Sequence, residues 1–164
     1  MQFLKTILIL LFATLVSAAA FPQDADTAID ASFTGIRTKQ SADGKQYTFE
    51  IYGEGKLEGT IVVTDDPAAP DLSINAFGAG GAQLNGTALD ATESSGLALA
   101  CGRTCQIWRF IRRYGRRAIN FIACLRRGLP APCWGGVFAC IATSNPWVCF
   151  ATIACGSGTI RSCL

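Results

Sequence analysis

The eight cysteines of this chain all lie in its last 64 residues, and this confinement limits what that part of the chain can fold into. An even number of cysteines in a short exported segment predicts four disulfide bonds. Zinc binding is the alternative, but the chain has no histidine and no Cys-x-x-Cys pair. The sequence leaves the pairing open. The cysteines are Cys101, Cys105, Cys124, Cys133, Cys140, Cys149, Cys155 and Cys163.

The first 20 residues have the pattern of a secretory signal peptide. Lys5 precedes an apolar run from Ile7 to Val16, and Ala18 and Ala20 suit a small-residue cleavage site. A membrane anchor is the alternative, but the apolar core is short and small residues come after it. We therefore expect residues 1–20 to be removed and the protein to be secreted to the extracellular space.

Charge divides the remaining chain into two parts of opposite sign. Residues 21–100 contain all twelve acidic residues and four basic ones, a net charge of −8. Residues 101–164 contain nine arginines, no lysine and no acidic residue, a net charge of +9. Such asymmetry indicates how the parts interact with partners rather than which fold they adopt.

The pattern predicts an α+β protein in two segregated parts, a small antiparallel β meander followed by an all-α disulfide-bonded domain. Apolar and polar residues alternate in the acidic part, and Gly-containing turns separate the runs. The predicted strands are SFTGIRT, QYTFEIYG and LEGTIVVTD, and edge strands at DLSINAF (71–77) and AQLNGTALD (82–90) would bring the total to four or five. The predicted segments are the signal peptide 1–20, an acidic pro-region or domain 21–93, a linker 94–100 and a cationic domain 101–164.

Residues 105–127 predict one amphipathic helix about 35 Å long. Eight apolar residues between Ile107 and Leu125 share one side of it, and Gly115 is its one poor helix former. Like charges four residues apart repel, so the arginines predict an anionic partner, although an ordinary solvated face is the alternative. The candidate contact residues are Arg109, Arg112, Arg113, Arg116 and Arg127 opposite the apolar side, with Arg117, Arg126 and an interfacial Trp108 on the flanks.

The stretch 128–160 carries no charge and predicts a helical hairpin. Asn145 and Pro146 lie between two apolar runs, where an N-cap and a first-turn proline would start the second helix. A single transmembrane helix over 133–155 is the alternative. Four aromatic residues could be core or bilayer-inserting surface: Trp134, Phe138, Trp147 and Phe150.

The sequence argues against several function classes. Without histidine there is no Ser-His or Cys-His pair, so we expect no enzyme activity. No phosphate loop or metal cluster is apparent, and we expect no cofactor and no metal. Aromatic residues opposite the arginines suit a bilayer better than a nucleic-acid groove, so no nucleic-acid partner is expected. Asn85 begins an Asn-Gly-Thr glycosylation sequon.

The order of signal peptide, acidic spacer and cationic cysteine-rich C-terminus resembles precursors of secreted antimicrobial peptides. Defensin precursors share the charge layout, and halocin-type bacteriocin precursors also place a larger cysteine-rich apolar domain last. The resemblance covers the layout and the last 64 residues, and the cysteine spacing is not that of a defensin. It implies a helical, disulfide-bonded fold and a competitor's membrane as the target.

These patterns support two functional hypotheses. In the first, the acidic part is a pro-region that screens the basic helix, and the cationic part acts on the anionic membrane of a target cell. In the second, both parts are kept in a non-lytic secreted protein that binds a host protein or an anionic polysaccharide. No dibasic pair lies near 94–100, whereas three lie inside the cationic part: Arg112-Arg113, Arg116-Arg117 and Arg126-Arg127.

Overall fold

A four-stranded antiparallel sheet precedes a group of helices, as the hydrophobic periodicity of the sequence predicts. The computed structural model describes residues 29–86, Leu89 and 96–164, with side chains from residue 102 onward in the last segment. The predicted signal peptide lies outside the described residues. The elements are β1 (Gly35–Gln40), β2 (Gln46–Gly53), β3 (Lys56–Thr64), β4 (Ser73–Gly78), α1 (Gly96–Tyr114), α2 (Arg116–Leu125), a 3-10 turn (Ala131–Cys133), α3 (Trp134–Ile141), α4 (Pro146–Thr152) and α5 (Ser157–Cys163).

The sheet is a simple meander in the order β1-β2-β3-β4. Tight turns join its first strands, and Glu54 and Gly55 both have positive φ, as a two-residue hairpin turn requires. Alternate side chains such as Phe49 and Ile51 are fully buried, which confirms the predicted period of two. Of the four or five strands predicted, the described residues form four. Gln83 makes one isolated bridge to β4, and a helix-like hydrogen bond comes after it, from the Leu89 amide to the Asn85 carbonyl.

The prediction of one continuous helix over 105–127 is wrong, because the helix is interrupted at Gly115. Gly115 has φ 56° and separates α1 from α2. The Gly115 amide donates to the Ile111 carbonyl, and the Gly115 carbonyl accepts from the Ala118 amide. The backbone of Gly115 therefore stays hydrogen-bonded although the helix is interrupted there. A second glycine with positive φ, Gly102, kinks α1. The helix also begins at Gly96, inside the stretch 94–100 that the sequence assigns to a linker.

The uncharged segment forms the predicted helical hairpin and not a single transmembrane helix. The Asn145 side chain accepts a hydrogen bond from the Val148 amide at 3.5 Å, and Pro146 begins α4. Cys140–Cys149 joins the two helices of the hairpin. Cys133–Cys155 joins the two ends of the hairpin region, Cys124–Cys163 joins α2 to α5, and Cys105 is disulfide-bonded as well.

The acidic and basic parts of the sequence contribute to one hydrophobic core. Sheet residues such as Phe49 and Ile61 belong to the same buried cluster as Ile107 and Ile111 of α1. Inside the helical part, α1, α2 and α4 meet in a group of packed rings: Phe110, Tyr114, Phe121, Trp147 and Phe150. The two parts are therefore segregated along the sequence but packed as adjoining layers.

Two glycines of the sheet allow the helices to approach closely. A Cβ on Gly59 would lie 2.5 Å from both the Phe77 carbonyl oxygen and the Thr104 hydroxyl of α1. A Cβ on Gly35 would lie 2.7 Å from the Trp134 ring of α3. These distances are below van der Waals contact, so α1 and α3 are packed against β3 and β1 at positions that a larger side chain would block.

Replacing Gly59 by alanine should lower the free energy of unfolding by about 1–3 kcal/mol. The added methyl would collide with backbone of β4 as well as with α1, and backbone cannot move as a flexible side chain does. Urea unfolding of the oxidised chain measures the change. The matched control is Gly78→Ala, directly across the sheet from Gly59, where a Cβ would meet its nearest atom at 3.7 Å. Equal stability of the two variants would contradict the proposed close contact.

Candidate functional site: the arginine cluster at the helix break

Four arginines surround Gly115, and we call Arg112, Arg113, Arg116 and Arg117 the arginine cluster. All four are exposed. They lie in the last turn of α1 and the first turn of α2, so the break brings them to one corner of the molecule. Arg126 and Arg127, also exposed, lie beyond the other end of α2, about 14 Å along the helix from Arg117. The single stripe predicted from the sequence is therefore divided into two groups.

Arg116 connects the arginine cluster to the sheet. Its guanidinium donates to both carboxylate oxygens of Asp65, with Nη2 to Oδ1 at 2.7 Å and Nε to Oδ2 at 2.9 Å. This is the two-pronged geometry that arginine makes with carboxylates and phosphates. The hydrogen bond from Arg116, together with its positive charge, holds the pKa of Asp65 below its ordinary value of 3.8. The same pair raises the pKa of Arg116.

A second ion pair joins α1 to the sheet at the other end of the interface. Arg103 donates through Nη1 to Glu58 of β3, and both side chains are about one-third exposed. The Arg103 guanidinium also lies 5.4 Å from the centre of the Phe138 ring in α3. Arg103 therefore contacts the sheet and the hairpin together, a structural position rather than part of the arginine cluster.

Aromatic rings support the remaining members of the arginine cluster. The Arg117 guanidinium lies 3.9 Å from the centre of the Trp147 ring, and Arg113 lies 5.3 Å from that of Tyr114. Arg112 lies 4.9 Å from the centre of the Trp108 ring. Such contacts restrain a guanidinium against the face of a ring. The arginine cluster is thus a cationic surface supported by aromatic side chains.

The burial of the aromatic side chains corrects the predicted role of Trp108. Only 7% of Trp108 is exposed, so it belongs to the core and is not an interfacial ring. Helical periodicity alone placed Trp108 on a flank of the helix, because it does not take into account contacts with the sheet and the other helices. Trp134, Phe138 and Phe150 are buried as well, whereas Trp147 is partly buried. In this structure these four side chains pack as core.

The half-buried Arg109 donates to the Cys105 carbonyl within α1.

The sheet covers the apolar side of the helices more than their charged side. Close contacts of the sheet reach Thr104 and Trp134, and ion pairs reach Arg103 and Arg116. Arg112, Arg113, Arg117, Arg126 and Arg127 stay exposed with the sheet in place. The sheet thus covers apolar residues of the helices and pairs with two of the arginines, and the screening of the other arginines by the acidic part stays a prediction. Four contact residues of the sheet could not be predicted, because their partners are distant in the chain: Gly35, Gly59, Glu58 and Asp65.

Other sequence-based candidates receive less support. Asn85 is exposed, but Thr87 of its sequon lies outside the described residues, so glycosylation stays a prediction. Among the described residues, no group of three potential ligand side chains could hold a metal ion. No helix in the described segments is both long and apolar enough to cross a bilayer. Comparisons with protein-family models, curated proteins and solved structures find no match.

The Asp65–Arg116 pair should make stability depend on pH in the acidic range. Because folding lowers the pKa of Asp65, its contribution is complete above the unfolded value of 3.8 and is lost as pH falls through the lower folded value. Asp65→Asn should therefore be less stable than the unmodified chain above about pH 4, and the difference should shrink below it. Chemical unfolding between about pH 2 and about pH 7 measures this.

A double-mutant cycle separates this pair from the other acidic groups. Arg116→Gln should cause the same loss as Asp65→Asn at neutral pH, and the double variant should lose little more than either single variant. Asp30 and Asp43 also have lowered pKa values, because they accept hydrogen bonds from Ser32 and Ser41, and they provide the background that all variants of the cycle share. A pH-independent difference would contradict the assignment to Asp65.

Proposed function

We propose that the chain is the precursor of a secreted, disulfide-stabilised cationic protein that acts on anionic membranes of target cells. In this proposal the sheet is a removable cover on the helical part. The observation that carries it is the distribution of covalent bonds. All eight cysteines lie in 101–164, so no intramolecular disulfide can join the sheet to the helices. The described disulfides lie entirely within the helical part.

The sheet is attached by packing and by ion pairs of modest strength. Solvent screens exposed ion pairs and makes them weak, so Arg116–Asp65 cannot hold the sheet alone. The rest of the attachment is packing of α1 on β3 and β4 and of α2 and α3 on β1, within the shared hydrophobic core. One cut in the segment before α1 would leave the sheet free to dissociate. The cross-linked helices would keep their covalent framework.

Binding to an anionic surface is the role that we assign to the arginine cluster. Each arginine near an anionic leaflet contributes about 1 kcal/mol, and lipid phosphates accept the same two-pronged hydrogen bonds as Asp65. The arginines are exposed with the sheet in place, so this step does not require its removal. Disruption of the bilayer requires apolar surface too, and the sheet covers it. We thus propose that the protein acts in two steps. The arginines first bind the anionic surface, and the apolar side of the helices is exposed afterwards.

Vesicle binding by the full chain tests the first step. Binding to anionic vesicles should exceed binding to zwitterionic ones and should weaken as salt rises, because the Debye length falls from about 10 Å at 0.1 M to about 3 Å at 1 M. Replacing Arg113 and Arg117 by glutamine should raise the dissociation constant about 30-fold at low salt, because two contributions of about 1 kcal/mol to binding are lost. Co-sedimentation with vesicles measures this constant.

A matched control removes the same amount of charge from the sheet. Lys45 and Lys56 are exposed, and replacing both by glutamine gives the same net charge as the arginine variant. If the arginine cluster is the binding surface, the lysine variant should bind almost as the unmodified chain does. Equal losses in the two variants would show that net charge matters and the location does not.

The second candidate function, a non-lytic secreted protein that keeps both parts, is favoured by the closeness of the sheet–helix contacts. The fit of Thr104 against Gly59 and of Trp134 against Gly35 is typical of a permanent interface. In that case the arginine cluster would bind an anionic protein or polysaccharide. N-terminal sequencing of the secreted form discriminates the two. A start near residues 95–101 supports the precursor, and a start at Phe21 supports the second candidate.

A further inference from the structure

Three dibasic pairs lie in the helical part, and they differ in the burial of the residue directly after each pair. Endoproteases with acidic subsites cleave after two basic residues, and they need the bond and its flanking residues to leave the folded surface. The residues directly after the pairs are Tyr114, Ala118 and Gly128. Their burial therefore predicts which pair such an enzyme can use.

The first two pairs are protected by packing. Tyr114 is partly buried, with its ring 5.3 Å from Phe110 and 5.4 Å from Trp147 between ring centres. Ala118, near the start of α2, is fully buried. Cleavage after Arg113 or after Arg117 would require these residues to leave the core. Local opening of that kind approaches the cost of unfolding the helical part.

The third pair lies outside a helix. The segment Arg126, Arg127 and Gly128 lies between the end of α2 at Leu125 and the 3-10 turn, and all three residues are exposed. Its amides make single-turn hydrogen bonds, from Arg127 to Cys124 and from Gly128 to Leu125, and the Gly128 carbonyl accepts an exposed hydrogen bond from the Thr159 hydroxyl at 3.2 Å. Breaking such bonds at the surface costs little because water replaces them. We infer that the Arg127–Gly128 peptide bond is a proteolytic processing site for an endoprotease specific for paired basic residues.

Cleavage there would keep the product in one covalent unit. Hydrolysis adds one water, leaving a carboxylate on Arg127 and an ammonium group on Gly128. Cys124 lies before the cut and Cys163 after it, so their disulfide joins the two pieces. Cys133–Cys155 and Cys140–Cys149 lie within the downstream piece. The predicted product is therefore a two-chain protein, and this inference does not rest on the membrane activity.

Limited digestion of the oxidised full chain with a dibasic-specific endoprotease tests the inference. The product should run as one band without reductant and as two bands after reduction. The new N-terminal sequence should be Gly-Leu-Pro-Ala-Pro, and cleavage after Arg127 should be at least about tenfold faster than after Arg113 or Arg117. In the reduced, denatured chain all three pairs should be cut at similar rates.

Two variants make the result specific. Arg127→Gln should abolish the cut, whereas Arg113→Gln, which removes another basic residue, should leave it unchanged. Comparable cleavage after Arg113 or Arg117 in the oxidised chain would overturn the inference. So would resistance of the Arg127–Gly128 bond under conditions that cut the denatured chain.

Discussion

Replacing Cys124 and Cys163 by alanine should lower the free energy of unfolding by about 4 kcal/mol, the largest loss expected from removing any described disulfide. The two cysteines are 39 residues apart, and a longer closed loop restricts the unfolded chain more. Cys140 and Cys149 are only 9 apart, and their removal should cost about 3 kcal/mol. Urea unfolding of the two double variants measures both values.

The comparison between these variants also tests the role of the bond in the fold. Cys124–Cys163 joins α2 to the C-terminal helix α5, whereas Cys140–Cys149 joins two helices that the short hairpin turn already keeps close. A larger loss for the hairpin disulfide would contradict this order. It would show that strain or residual structure outweighs the loop-closure effect.

Replacing Trp134 by alanine should cost about 3–5 kcal/mol and should loosen the sheet from the helices. Trp134 is 3% exposed and fills the space next to Gly35 in β1. Its loss leaves a cavity at the interface rather than within the ring group of α1, α2 and α4. The expected result is lower stability together with increased leakage of anionic vesicles by the uncut chain.

Val148→Ala serves as the control for this variant. Val148 is 62% exposed, so truncating it should change stability by less than about 0.5 kcal/mol and leave leakage unchanged. If Trp134→Ala lowers stability without raising leakage, the sheet does not restrain membrane activity. The destabilisation would then be a packing effect alone.

The local elements of the fold were predictable because they depend on neighbouring residues. Alternation in QYTFEIYG predicted β2, and Asn145-Pro146 predicted the start of α4. The break at Gly115 was not predicted, although this glycine was recognised as a poor helix former. The apolar pattern continues across it, and a glycine costs a helix only about 1 kcal/mol. Tertiary packing of α1 and α2 on different neighbours outweighs that pattern.

The interface between the two parts could not be predicted, since its contacts join residues far apart in the sequence. Asp65 and Arg116 are separated by 51 residues, and Glu58 and Arg103 by 45. Charge segregation indicated attraction between the parts, but it did not indicate which carboxylates pair. Gly35 and Gly59 resemble ordinary strand glycines until the helices are placed against them. The sequence placed the arginines of the cluster opposite the apolar side of one helix, and their grouping at one corner depends on the break at Gly115.

Comparison of the protein before and after a single cut ahead of α1 shows whether the sheet restrains the helical part. A protease recognition sequence inserted between Ser94 and Ser95 allows the oxidised protein to fold first and be cut afterwards. Leakage of anionic vesicles is then measured at low salt for the cut chain, the uncut chain and a chain with an uncleavable insert treated in the same way. We expect the cut chain to cause leakage at a protein concentration at least about tenfold lower than the uncut chain. In the uncut chain, linkage gives the sheet an effective concentration near the millimolar range. Equal leakage by the cut and uncut chains would contradict this expectation.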